Sequence, residues 1–258
     1  MQSETRTILG KVPELTLLFW VIKIVATTLG ETAGDAVTMS MSLGYLVGTA
    51  IFMAIFIGAV AAQIKADKFH APLFWFVIVA TTTAGTTLAD FFDRSLGIGY
   101  AGGATLLAAM LAGSLLWWYR SLGSVSINRI DSGKAEVFYW MTIMFSQTLG
   151  TALGDWFADP GKGLGLGYQG SALVFAAGLA VIATLYFWTR ASRTALFWAA
   201  FILTRPLGAA VGDFLDKPVA NGGLAMSRYS ASACLALFIV GCIVFVRQRA
   251  ERIEVRNT

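Results

Sequence analysis

Four aspartates at one repeated spacing are the residues of this sequence best suited to chemistry. Asp35, Asp90, Asp155 and Asp213 each follow a tryptophan by 15 positions, at Trp20, Trp75, Trp140 and Trp198. On a helix, residues at i, i+4 and i+8 drift by only about 40° per step and share a face. The four faces read Thr27, Glu31, Asp35; Thr82, Thr86, Asp90; Gln147, Thr151, Asp155; and Arg205, Ala209, Asp213. Three of them are lined with oxygen, the ligand of hard cations such as Mg2+, Ca2+ and Mn2+. Zn2+ sites draw instead on Cys and His, and the single histidine, His70, stands apart from the four faces. Asp35, Asp90, Asp155, Asp213 and Glu31 are therefore the candidate metal ligands. Thr27, Thr82, Thr86, Gln147, Thr151, Lys23 and Arg205 are the candidate substrate pathway.

Lys23 and Arg205 break the symmetry of the pattern. A basic side chain inside an apolar span is costly and pairs with an acid or faces a watery cavity. Five acids against these two bases leave a formal −3, enough to take a divalent cation with both bases still paired. Lys23, about two turns before Glu31, can alternate with the substrate as a competing cation, or both bases can serve structural ion pairs. Met39 and Met41 suit Cu(I), or fill space as Met usually does in apolar segments. Asp93, Asp159 and Asp216 follow the ring aspartates by three or four residues, as an attracting vestibule or as loop caps.

The elements that carry these residues form a repeat. Ten residues after each Trp stands a glycine, Gly30, Gly85, Gly150 or Gly208, and four later a small residue, Gly34, Ala89, Gly154 or Gly212. A tyrosine ends the following loop, at Tyr45, Tyr100, Tyr168 and Tyr229. Small residues four apart let helix backbones approach closely in lipid. Hydropathy predicts helical spans at 14–36, 41–63, 71–92, 98–119, 136–157, 165–189, 194–215 and 226–246. The chain is 57% hydrophobic and 13% charged, with a mean hydropathy of +0.69, against about 25% charged for a soluble domain. The expected fold class is all-α: one polytopic membrane domain over 1–258, with repeats 14–63, 71–119, 136–189 and 194–246.

Each repeat has two spans, so all four insert the same way up, in a pseudo-fourfold arrangement about the membrane normal. The odd helices pack centrally and bring the aspartates to one level, about 22 Å along the axis from the tryptophans. That level lies near the outer edge of the hydrocarbon, where the alternative is a set of helix ends facing solvent. Eight spans place both termini on one side, with Arg6, Lys11, Lys65, Lys68, Arg120, Arg129, Lys134, Arg190, Arg193, Arg247, Arg249, Arg252 and Arg256. The other side has Arg94, Lys162, Lys217 and Arg228, so the positive-inside rule makes the termini cytoplasmic. An acid at a helix C-terminus meets the negative end of the dipole, so a positive partner is expected there.

The segments TTLGETAGD (27–35), TTAGTTLAD (82–90), QTLGTALGD (147–155) and RPLGAAVGD (205–213) resemble a family of bacterial inner-membrane proteins. Its members have unknown function and four tandem two-helix repeats, and are labelled uncharacterised membrane-anchored proteins. The resemblance covers roughly 14–246 and implies a bacterial inner-membrane location but no activity.

The residues themselves point to a transporter, an exporter of a divalent cation such as Mn2+ or Mg2+. A passive cation channel and a non-transporting scaffold or assembly protein are the alternatives. An enzyme is not expected, since no Ser-centred nucleophile motif, His- or Cys-rich metal motif or phosphate-binding loop is present. No cofactor is expected beyond a bound cation as substrate, and no nucleic acid. The lipid bilayer is the expected partner, and oligomeric state is not encoded in any motif. Cys234 and Cys242 share one apolar stretch and read as small hydrophobes.

Overall fold

The computed structural model describes residues 5–127, 130 and 132–256, with side chains described between 10 and 251. Arg129, counted above among the basic residues of the terminal side, lies outside the described residues, as do the side chains of Arg6, Arg252 and Arg256. Eight α-helices follow one another: α1 Leu17–Asp35, α2 Gly44–Lys65, α3 Ala71–Asp90, α4 Tyr100–Leu122, α5 Gly133–Ala158, α6 Gly167–Trp188, α7 Arg193–Asp216 and α8 Arg228–Phe245. The expected spans lie within a few residues of these, because local capping fixes the ends. The Thr16, Ser132 and Ser192 hydroxyls accept from the backbone amides of Phe19, Ala135 and Ala195 at the starts of α1, α5 and α7, which satisfies otherwise orphaned donors. Gly123, in the left-handed region at φ 73°, ends α4.

The odd helices touch in a closed cycle, α1 to α3, α3 to α5, α5 to α7 and α7 back to α1. Each even helix packs on the odd helix of the next repeat: α2 on α3, α4 on α5, α6 on α7, and α8 on α1. The glycine pattern explains the order. A Cβ on Gly30 would lie 2.4 Å from Thr82 Cγ2, and one on Gly150 would lie 2.2 Å from Arg205 Cγ. Gly85 likewise faces Gln147 and Gly208 faces Thr27. Each repeat's glycine is thus the seat of the next repeat's stripe, a close approach that any side chain would prevent.

Polarity is distributed in the reverse of a soluble protein. Threonines, Gln147, Lys23, Arg205 and the ring aspartates are buried, whereas Leu173, Phe187, Leu237 and Phe245 are exposed. Seven helices among the described residues are long and apolar enough to cross a membrane. The exception is α5, expected as a span at 136–157. It is packed between α3, α7 and α4, and it buries Thr142, Ser146, Gln147, Thr148 and Thr151, so its own composition is more polar.

Two strands lie outside the expected spans. β1 Thr5–Pro13 and β2 Ala250–Arg256 pair antiparallel, from Thr5 with Arg256 to Leu9 with Arg252, then an irregularity before Pro13 with Ala250. The pairing sets the two ends of the chain side by side. Side chains tie this sheet to the helices: Lys11 donates to Glu136 at 2.7 Å and to the Ile64 carbonyl at 2.9 Å. Trp75 Nε1 donates to Gln248 at 2.6 Å, just before β2.

Candidate functional site

The four ring aspartates are buried, at 1%, 2%, 5% and 2% exposure for Asp35, Asp90, Asp155 and Asp213. They do not face open solvent. Two basic side chains join them in pairs. Arg94 reaches Asp90 at 3.0 Å and Asp155 at 3.1 Å. Lys217 reaches Asp213 at 2.9 Å and also bonds Asp35. Each base stands four residues after a ring aspartate, in the second and fourth repeats, where the first and third have Met39 and Asp159. The cation expected to offset the helix dipoles is therefore supplied by the chain itself, and the order is pairwise.

Around each pair the neighbours differ. The Tyr45 hydroxyl accepts from Arg94 at 3.0 Å, and Tyr45, Tyr100 and Tyr168 lie within electrostatic reach of Asp90, Asp155 and Asp213, the aspartates of the next repeat. Beside Lys217, Arg228 pairs with Asp216 at 2.6 Å and approaches Asp35 at 3.8 Å. Burial disfavours the Lys217 ammonium, but Asp213, Asp35 and Asp216 outweigh it and hold this lysine well above the usual range. After Asp35 and Asp90 the chain continues in π turns, Ala36–Ser40 and Phe91–Ser95, a geometry frequent at functional sites. Both of these repeats span ten residues from Asp to Tyr, whereas the longer third and fourth do not form them.

One turn below the ring, Glu31, Thr86 and Thr151 converge on the fully buried Arg205. Its Nη2 donates to Glu31 at 2.9 Å and to the Thr86 and Thr151 hydroxyls at 2.5 Å each, and Nη1 donates to the Thr27 carbonyl at 3.3 Å. Arg205 starts at the level of Thr27, Thr82 and Gln147 and rises into the place where Ala209 leaves room. A buried charge is tolerated only with such pairing. Glu31, Asp35 and Asp213 each bring a carboxylate oxygen within 4.8 Å of the others, a spacing at which one cation can be shared. Asp90 and Asp155 gather instead on the opposite side around Arg94.

Lys23 lies deeper and away from the acids. Its ammonium meets the Thr204 hydroxyl at 3.4 Å and stands 4.0 Å from the Phe201 ring centre. Ile78, Ile143 and Phe201 share its level and are fully buried, and Trp75, Trp140 and Trp198 close the bundle below. Among the pathway residues, Thr27 donates to the Ile24 carbonyl at 2.7 Å, while Thr82 and Gln147 have buried polar atoms with no hydrogen-bond partner among the described residues.

Of the other candidates, Asp159 caps its loop by accepting from the amides of Gly161 and Lys162 at 2.7 Å. Asp216 is held by Arg228, and Asp93 is buried. Met39 is half-buried in a π turn and Met41 is exposed after it. His70 is exposed at the start of α3, and Cys234 is exposed on α8. Sequence reasoning missed Arg94, Lys217 and Arg228 as site residues. For Arg94 and Lys217 the signal was the i+4 spacing from an aspartate, masked by their position at the outer ends of the spans, whereas Arg228 stands 12 residues after Asp216 and had no such local signal.

The chain matches the family described as Repeat of Unknown Function (DUF347) four times, over residues 18–69, 73–124, 138–192 and 196–252. No curated protein and no solved structure matches it.

Proposed function

Because the chain belongs to the DUF347 family of repeats, which is described without a function, we propose its activity from its own residues: a membrane transporter that exports a divalent cation such as Mn2+ or Mg2+ through the aspartate ring. All eight helices span the bacterial inner membrane, pseudo-fourfold about its normal, with both termini cytoplasmic. The reversed polarity and the seven apolar helices support the membrane placement. The excess of Lys and Arg on the terminal side supports the orientation.

One observation carries the transport reading: among the described residues, four buried carboxylates are bridged by two basic side chains, Arg94 and Lys217, with Arg228 more distant at 3.8 Å from Asp35, leaving a formal −2 for the ring and its two bridges at one level of the bundle. Asp216 and Arg228 cancel each other beside it. A divalent cation neutralises that charge and finds hard oxygen ligands in Glu31, Asp35 and Asp213. On entering, it competes with Lys217 for Asp35 and Asp213. Further movement requires Arg205 to yield at the Glu31 layer and the layer of Lys23, Ile78, Ile143 and Phe201 to part, so the pathway operates by conformational change rather than as an open pore.

Mn2+ flux into proteoliposomes tests this. Asp90→Asn and Asp155→Asn abolish flux while the purified protein stays monodisperse, and normal flux in all four single Asp→Asn variants eliminates the reading. A second reading, a non-transporting scaffold, is favoured by the pairing of every ring aspartate within the chain. It predicts that the same variants alter co-purifying partners with no ion movement at all.

A further inference from the structure

A crevice of about 710 Å3 runs along α1, α6 and α7, and none of the ring aspartates lines it. Its volume falls in the range of small-ligand sites, about 300–1,000 Å3. Ile24 on α1, Leu179 and Ala183 on α6, and Phe197 and Ala200 on α7 form apolar walls. Charge is confined to one end, where Glu14, Arg193 and Glu251 lie. The far end reaches Thr204, the hydroxyl that accepts from Lys23.

Three features define what fits. The first is depth. From Arg193 to Thr204 is 11 residues of α7, about 16 Å at 1.5 Å per residue, which matches half of a hydrocarbon core about 30 Å thick. The crevice is one leaflet deep. The second is its position at the perimeter, where Leu17 (81% exposed) and Phe187 (73% exposed) line it and face outward. The third is the mixed sign of its mouth. The Arg193 guanidinium lies 4.1 Å from the Tyr186 ring centre and donates to the Tyr186 carbonyl, which fixes it while leaving further donors. Opposite in sign, Glu14 and Glu251 are close enough to repel, and neither forms an ion pair among the described residues. Burial, opposed by a backbone hydrogen bond from Leu15 and reinforced by Glu14, pushes the Glu251 carboxyl up.

We propose that this crevice binds one phospholipid of the terminal-side leaflet with an ethanolamine headgroup, its acyl chain along the apolar walls, its phosphate on Arg193 and its ammonium between Glu14 and Glu251. A primary ammonium has three donors and can bridge two carboxylates. A choline has none to give, and a glycerol headgroup leaves the acids unanswered. The inference rests on the membrane placement above and is independent of cation transport.

Native mass spectrometry of the full chain, in mild detergent with palmitoyl-oleoyl phosphatidylethanolamine, phosphatidylcholine or phosphatidylglycerol added, tests it. The expected result is one retained phosphatidylethanolamine, favoured over either other lipid by about tenfold, or ~1.4 kcal/mol. Ala183→Trp fills the crevice from an exposed position and lowers retention of all three lipids. Glu14→Gln with Glu251→Gln removes the preference over phosphatidylcholine but keeps chain binding. Equal retention of the three lipids, or retention unchanged by Ala183→Trp, overturns the proposal. Asp90→Asn, which tests transport, leaves lipid retention as in the parent protein. A chain recovered from the soluble fraction on expression refutes the membrane placement instead.

Discussion

Arg205 touches residues of all three other odd helices, Thr27 and Glu31 on α1, Thr86 on α3 and Thr151 on α5. Arg205→Met leaves Glu31 buried and unpaired, a loss of about 3–5 kcal/mol for one partner of a buried pair. Adding Glu31→Leu removes the stranded charge and restores most of that loss. Thermal unfolding in detergent reads both, and a double variant as unstable as the single one contradicts the pairing argument. Lys217 gives the complementary test of the ring. If it competes with an entering cation for Asp35 and Asp213, Lys217→Met tightens Mn2+ binding by about tenfold in isothermal titration, ~1.4 kcal/mol. Unchanged or weaker binding sinks that competition.

At the scale of the helix, small residues decide where the stripes fit. Gly150→Ala places a methyl against Arg205 Cβ and Cγ, 2.4 and 2.2 Å away. Those atoms belong to the rigid base of a side chain pinned at its far end, so the expected destabilisation is about 1–3 kcal/mol, typical of overpacking. Gly58→Ala on α2 meets nothing within 4 Å and gains helix propensity, up to about 1 kcal/mol. Opposite shifts in thermal midpoint for these two variants separate close packing from a general effect of alanine. The Trp, Gly and Asp spacing made this arrangement legible in the sequence, since it is a repeated local pattern. The π turns after Asp35 and Asp90 were not legible, because they pack against even helices, α2 and α8 for the first and α2 and α4 for the second, and spacing within one segment does not report such contacts.

For the whole molecule, closure of the ring is the main feature. The last helix returns to the first, where Thr32 and Ser232 share a hydrogen bond of 2.8 Å, and the paired strands hold the two ends together below. Topology is open to direct measurement. With Cys234 and Cys242 replaced by alanine, Lys162→Cys in the α5–α6 loop is labelled by an impermeant maleimide in intact cells. Ser192→Cys, at the start of α7, is labelled only after permeabilisation. The reverse pattern inverts the orientation and with it the direction assigned to export.

The sequence by itself determined the helices, their fourfold repetition and the common level of the aspartates, since each follows from hydropathy, period and spacing along the chain. Only the tertiary structure decided what neutralises those aspartates. Arg94 joins Asp90 to Asp155 and Lys217 joins Asp213 to Asp35, and the second partner of each lies on a different helix, so spacing within one segment cannot reveal it. The same holds for Arg205 rising into the space beside Ala209 and for β1 meeting β2 from opposite ends of the chain. Hydropathy averages over a window and marks Arg94 and Lys217 as the ends of spans, while the folded bundle brings the ends of both side chains onto the carboxylates, Lys217 mostly covered and Arg94 from an exposed position, because buried carboxylates need charge nearby.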